Sequence, residues 1–222
     1  MNKKIIRLCA LAWGISGMVI LFTVLFPIAA YEAASRQNYP DLLSPLVERE
    51  DGDEVRLENF DYTKASNWFP EALPEKKIVS ERISYYTISI PRLGIEDATV
   101  AIGGEDLKES LIQFPQTALP GKVGNTVIFG HSILPQFYNP KNYLAIFSTL
   151  DSLRPNDEIF VSYDGINYKY IVETKFEVKP TDIQILEQNS SYPSISLVTC
   201  TPPGDPRKPK RLVVKAKLVP NY

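Results

Sequence analysis

"SLVTCTPPGDPRKPKRLVV", residues 196–214, is the stretch on which the fold turns. A β-type run ends in Cys200. A loop rich in Pro and Gly follows, and Arg211 opens a second β-type run. Side chains alternate across a strand. Over 211–219 the apolar set is Leu212, Val214, Ala216 and Leu218, which predicts a core-facing side; Arg211, Val213, Lys215 and Lys217 form the other side. Over 194–200, Ile195, Leu197 and Thr199 form one set, and Ser194, Ser196, Val198 and Cys200 the other. If the strands are antiparallel neighbours, Cys200 and Arg211 stand opposite each other off the core side. Opposed residues have Cβ atoms about 4.5–5.5 Å apart. A guanidinium at that range stabilises a thiolate or an oxyanion formed after attack. Arg207 competes for this role from inside the loop. Lys208 and Lys210 read as solvated loop residues.

The chain has 222 residues and a net charge of −2, which gives no general reason to expect nucleic acid as a partner. Residues 8–30 carry no charge. A run of about 20 apolar residues crosses a bilayer. Lys3, Lys4 and Arg7 precede the run, and the first basic residue after it is Arg36. The positive-inside rule then places residues 1–7 in the cytoplasm and the remainder outside. A cleaved signal peptide is the alternative, with Ala29-Ala30 or Ala33-Ala34 as the cut. Of the two cysteines, Cys9 lies in the apolar run, so the exported part holds one thiol, Cys200. The single histidine, His131, leaves no basis for a His-based metal site. No metal and no cofactor is expected.

Residues 31–84 read as a linker. "EREDGDEVRLENFD" is acidic and weakly periodic, and the composition predicts no packed core. Trp68, Phe69 and Leu73 leave open a flap docked on the following domain. From residue 85 short β-type runs dominate: "YYTISIP", "ATVAIG", "NTVIFGHS", "SISLVTC" and "RLVVKAKLV". "EIFVSYDGINYKYIVETKFEVKP" reads as two strands about an Asp164-Gly165 hairpin turn. "EDLKESLIQF" reads as a short helix with Leu107, Leu111 and Ile112 on one side. "TDIQILEQ" reads as one or two helical turns capped by Thr181 or Asp182. Regular short strands with turn signals predict an all-β domain over 85–222, a barrel or a sandwich.

His131 ends one of those runs and shares a face with Val127 and Phe129. By itself it reads as a satisfied core or rim residue, just as Cys200 by itself reads as a buried structural cysteine. Together, thiol, imidazole and guanidinium at strand ends make a site suited to acyl transfer. The imidazole would protonate the leaving amine.

These segments resemble the sortase family. "SLVTC…RLVV" resembles the TLxTC signature with its following arginine, "GNTVIFGHS" the histidine segment, "FSTLDSLRPNDEIFV" the segment between them, and "YTISIPRLGI" the first strand. The resemblance spans roughly residues 84–219. It implies an eight-stranded β-barrel with short helices behind one transmembrane helix. It also implies a cysteine transpeptidase, with Cys200 as nucleophile, His131 as general acid and base, Arg211 stabilising the substrate carbonyl or oxyanion, and Thr199 helping to position substrate. The implied partners are surface proteins with an LPxTG-like C-terminal sorting signal and an acceptor amine on a peptidoglycan precursor or a pilin. Within the family the features are class C, D or E-like. The sequence departs from the pattern at Ser196, at Asn156 (usually Gly before Asp157) and at Ser132 after the histidine. The rival classes are an L,D-transpeptidase-like or other envelope thiol peptidase, and a non-catalytic anchored β-domain. Against the first stands Thr201-Pro202-Pro203 after Cys200, where that family places an arginine close behind its cysteine.

Overall fold

The computed structural model describes residues 3–39, 61–69, 84–188 and 191–220. The chain divides into two units, residues 1–40 and 41–222. In the first, α1 spans Lys3–Asn38 and is long and apolar enough to cross a membrane. It outruns the apolar stretch because Glu32, Ala33 and Ala34 are compatible with helix and Arg36 pairs back to Glu32 at 3.5 Å.

In the second unit, eight strands close into a barrel in the order β1-β2-β3-β4-β7-β8-β6-β5. They are β1 Ser84–Ile90, β2 Ile95–Ile102, β3 Leu111–Gln113, β4 Gly124–Phe129, β5 Glu158–Tyr163, β6 Ile166–Val178, β7 Pro193–Thr201 and β8 Lys210–Leu218. Alternation sorts the buried side chains. Ile88, Val100, Leu111, Ile128, Leu197 and Val214 are fully buried and fill the interior. Their neighbours Ala101, Ile112, Val127, Phe129, Val198 and Val213 form a second apolar cluster on the outer face, with Cys200 in it. The predicted hairpin is present: Asp164 (φ +52°) and Gly165 (φ +74°) form a two-residue turn between the paired Tyr163 and Ile166.

Two expectations are corrected and one open alternative is narrowed. The segment predicted as a helix, residues 105–114, is largely a turn followed by β3. Leu111 and Ile112 fall on opposite faces, because β3 pairs in parallel with β2 and antiparallel with β4, and ladder pairing outweighs local periodicity. "TDIQILEQ" forms a single 3-10 turn, Ile183–Leu186. Asp182 precedes it without capping it; its carboxylate accepts the Lys179 amide instead. Residues 61–69 are not a bare tether but pack on the barrel, as described below; Leu73 and most of the acidic run lie outside the described residues. The departure at Asn156 also has a reason. Its φ is +75°, a left-handed conformation that glycine adopts freely and asparagine tolerates.

Candidate functional site

β7 and β8 are antiparallel neighbours, and Cys200 pairs directly with Arg211. The loop between them is folded on itself. Asp205, itself buried, accepts hydrogen bonds from the Arg207 amide at 2.9 Å, its Nε at 3.0 Å and its Nη2 at 2.6 Å. Arg207 is therefore committed to its own loop, with a side chain 78% exposed, and Arg211 alone of the two reaches the thiol's face. The loop leans on the segment after β4: a Cβ on Gly204 (φ +82°) would lie 2.6 Å from Leu134.

Arg211 is fully buried. Burying a cation costs several kcal/mol unless its donors are met. Nη1 donates to the carbonyls of Lys208 (2.9 Å) and Lys210 (3.2 Å), and Nη2 to the carbonyl of Trp68 (3.3 Å). Nε finds no acceptor among the described residues. Three aromatic faces complete the enclosure: Tyr62 at 5.3 Å, Trp68 at 5.4 Å and Phe69 at 6.0 Å from the guanidinium carbon. No carboxylate pairs with it among the described residues, so its positive charge is solvated by carbonyl dipoles and rings.

Those rings come from residues 61–69, which the sequence left between tether and flap. Asp61 starts the turn by accepting from the Thr63 amide at 3.0 Å and its hydroxyl at 2.6 Å. A 3-10 turn, Ala65–Asn67, follows, and the Trp68 indole donates to the Tyr62 carbonyl at 2.8 Å. Two backbone bonds fasten the segment to the barrel, Ala65 N–H to Glu105 O (3.0 Å) and Leu107 N–H to Thr63 O (2.9 Å). Trp68 stacks on Phe129 at 5.3 Å, and Phe69 lies against the same ring at 5.8 Å. The result is a cover over the outer face, under which Cys200 is 1% exposed. An unperiodic polar composition hid this, because the segment buries itself against the barrel's apolar cluster rather than making its own. The signal present in the sequence was the aromatic triplet Tyr62, Trp68 and Phe69.

His131 lies two residues beyond the end of β4 and is buried beside Trp68, ring centroids 5.9 Å apart. Gly130 before it cannot carry a side chain without displacement: a Cβ there would lie 2.4 Å from the Phe147 ring. The His131 Nε2 has no hydrogen-bond partner among the described residues. Burial, and after it the Lys208 ammonium, lower its pKa from 6.5 to about 4, so the imidazole is neutral at pH 7. Lys208 is not a freely solvated loop residue: its ammonium lies 4.8 Å from the Tyr62 ring.

Thr199 does not share the face of Cys200 and Arg211. Alternation puts it on the side opposite Cys200, where its hydroxyl donates to the Gly130 carbonyl at 2.8 Å. Ser132 is a residue whose position the sequence did not reveal; its hydroxyl donates to the Cys200 carbonyl at 2.6 Å. Further along the same outer face lies a pocket of about 480 Å³, floored by Asn125, Ser196 and Lys215 and walled by Phe176 and Ile185.

Residues 88–219 match the family profile described as a sortase domain. The sortase D5 transpeptidase of Clostridium perfringens is 28% identical at a TM-score of 0.52, over 73% of this chain and 98% of that one. A lid mutant of sortase A from Corynebacterium diphtheriae is 25% identical at a TM-score of 0.53, over 86% and 92%. Sortase C-1 of Actinomyces oris shares the fold, at 22% identity and a TM-score of 0.53, over 89% and 98%. Among curated protein sequences none matches the chain. An eight-stranded barrel of this topology defines the class, a cysteine transpeptidase fold. The chain belongs to the sortase family.

Proposed function

We propose that this chain is a membrane-anchored sortase. It cleaves an LPxTG-like sorting signal through a Cys200 thioester and passes the acyl group to an amine on a peptidoglycan precursor or a pilin. Residues 8–30 are the signal-anchor, with residues 1–7 in the cytoplasm. Residues 31–84 are an extracytoplasmic linker of which residues 61–69 act as a flap, and 85–222 are the catalytic domain.

The observation that carries this reading is the pairing of Cys200 with Arg211, whose guanidinium already holds a backbone carbonyl, that of Trp68. A scissile carbonyl placed there would lie beside the thiol. The chemistry then runs as follows. His131, neutral at rest, takes the thiol proton as sulfur attacks the carbonyl carbon. Arg211 stabilises the negative charge that develops on oxygen. His131 returns the proton to the departing amine as the C–N bond breaks, leaving a thioester. In the second half the acceptor amine attacks the thioester and gives a proton to His131, and as the C–S bond breaks His131 returns that proton to sulfur, restoring the thiol and the neutral imidazole. Thr199 acts as a positioning residue through Gly130.

The pocket supports an extended substrate. Ser196 precedes Cys200 by four residues on the same face, about 13 Å at about 3.3 Å per residue. The four residues before a scissile carbonyl cover that span. Because Cys200 is 1% exposed under residues 61–69, the flap must lift before substrate enters.

The test uses the full chain in detergent micelles, a pool of sorting-signal peptides, and hydroxylamine as surrogate amine. The expected product is a hydroxamate at one bond of one peptide, absent with Cys200→Ala. Hydrolysis that hydroxylamine does not divert would assign a peptidase instead. A hydroxamate that persists in Cys200→Ala would remove the thiol from the mechanism.

A further inference from the structure

The parallel ladder between β4 and β7 stops before it reaches the two reactive side chains. Its last paired residues are Phe129 and Val198, and one further backbone bond, Gly130 N–H to Val198 O at 3.1 Å, closes it. Beyond that point the chain after β4 turns away toward Phe147, whose amide donates to the His131 carbonyl at 2.9 Å. Backbone pairing therefore leaves the separation of His131 and Cys200 unspecified. Two side chains take over. Thr199, just before Cys200, donates to the carbonyl just before His131 (2.8 Å), and Ser132, just after His131, donates to the carbonyl of Cys200 (2.6 Å). The bonds are reciprocal, one donor from each segment, and the residues are 1% and 5% exposed. Both hydroxyls are buried, so water cannot replace either without reorganising the core.

We infer that Ser132 is a positioning residue of the transpeptidation reaction: with Thr199 it staples the histidine-bearing segment to the cysteine-bearing strand and holds imidazole and thiol in reacting geometry. This rests on the sortase reading given above. Ser132 touches neither reacting atom, so its effect should fall on turnover rather than on substrate affinity. A misplacement of about 1 Å costs on the order of 100-fold in rate.

The test compares Ser132→Thr with Ser132→Val in the full chain carrying Cys9→Ser, which makes Cys200 the sole thiol. The two variants have nearly the same volume and differ in the hydroxyl. Hydroxylamine-dependent cleavage should give Ser132→Thr a kcat within about threefold of the parent. Ser132→Val should fall on the order of 10- to 100-fold with KM within about twofold. A Ser132→Val enzyme that keeps its kcat, or a Ser132→Thr enzyme that falls as far, overturns the inference, as does a loss confined to KM. If Ser132→Val does not fold, Thr199→Ser against Thr199→Val reads the other half of the staple by the same criteria. If the parent cleaves no peptide, the failure belongs to the sortase reading. The staple is then read from alkylation of Cys200, where different rates for the Thr and Val variants support it and equal rates overturn it.

Discussion

Trp68 lends its backbone carbonyl to Arg211 at 3.3 Å while its indole ring lies 5.4 Å from the same guanidinium and 5.3 Å from Phe129. One residue thus satisfies a buried cation and seals the apolar face around Cys200. Trp68→Ala removes the indole's stacking and its bond to the Tyr62 carbonyl, so the cover should open more often. In a Cys9→Ser background, a charged thiol reagent should label Cys200 at least about tenfold faster, since a closed-state preference weakened by only about 1.4 kcal/mol has that effect. An unchanged labelling rate would mean that the cover is held by its backbone bonds to Glu105 and Leu107 rather than by its aromatic side chains.

The two loop arginines should separate cleanly. Arg211→Lys keeps a charge but loses the fork that meets the carbonyls of Lys208, Lys210 and Trp68. Removing one oxyanion donor typically lowers kcat on the order of 100- to 1,000-fold. Arg207→Ala leaves the buried Asp205 carboxylate without its guanidinium and so costs stability, but the side chain removed is 78% exposed and held in its own loop, so cleavage by the folded enzyme should be unaffected. Steady-state hydroxylaminolysis of both variants checks this. An Arg207→Ala enzyme as impaired as Arg211→Lys would reverse the assignment.

Much of the site was legible because strands have a period of two. Placing Cys200 opposite Arg211 needed only the alternation of Leu212, Val214 and Ala216 against that of Ile195, Leu197 and Thr199, and a tight enough loop. The same alternation grouped Val127, Phe129 and His131. What escaped had its cause in tertiary structure. Leu107, Leu111 and Ile112 fit a helical face as well as a turn and a strand, and the deciding partners in β2 and β4 lie outside any local window. Trp68 and Phe69 were visible as aromatics in a polar segment, but Phe129, the ring that buries them, lies far along the chain, so local pattern left tether and flap undecided. Ser132 and Thr199 act through carbonyl groups, which every residue possesses and no sequence pattern distinguishes.

Gly130 makes the sequence's "FGHS" a steric statement as well as a motif. A Cβ there would sit 2.4 Å from the Phe147 ring and 2.6 Å from Leu111, both fully buried. Neither can retreat without repacking the core, so Gly130→Ala should destabilise the domain by about 1–3 kcal/mol, as overpacking does. It should also shift His131 and lower turnover by more than the loss of folded protein explains. Thermal melting alongside kcat at a temperature well below the transition checks both effects. A variant with normal stability and normal turnover would show that the backbone slides to admit the methyl group.

The sole histidine offers a pH prediction that needs no resonance assignment. Burial, then the Lys208 ammonium, hold His131 at a pKa of about 4 in the folded chain against 6.5 for the ordinary side chain. The folded state therefore binds a proton less readily than the unfolded state. Between those two values the unfolded chain carries the extra proton, so stability rises with pH across this window and is flat with respect to this group above it. Acidification from pH 6.5 to pH 4 should cost up to about 3 kcal/mol through His131 alone. His131→Phe should flatten that part of the profile in denaturant titrations of the full chain. Lys208→Gln removes the second cause and should raise the His131 pKa, read directly from the imidazole signal by nuclear magnetic resonance. Trp68→Ala, by admitting water, should raise it as well. An imidazole titrating near 6.5 in the folded parent would show that neither burial nor Lys208 acts on it, and one titrating well above 7 would overturn the neutral resting state in favour of a thiolate–imidazolium pair.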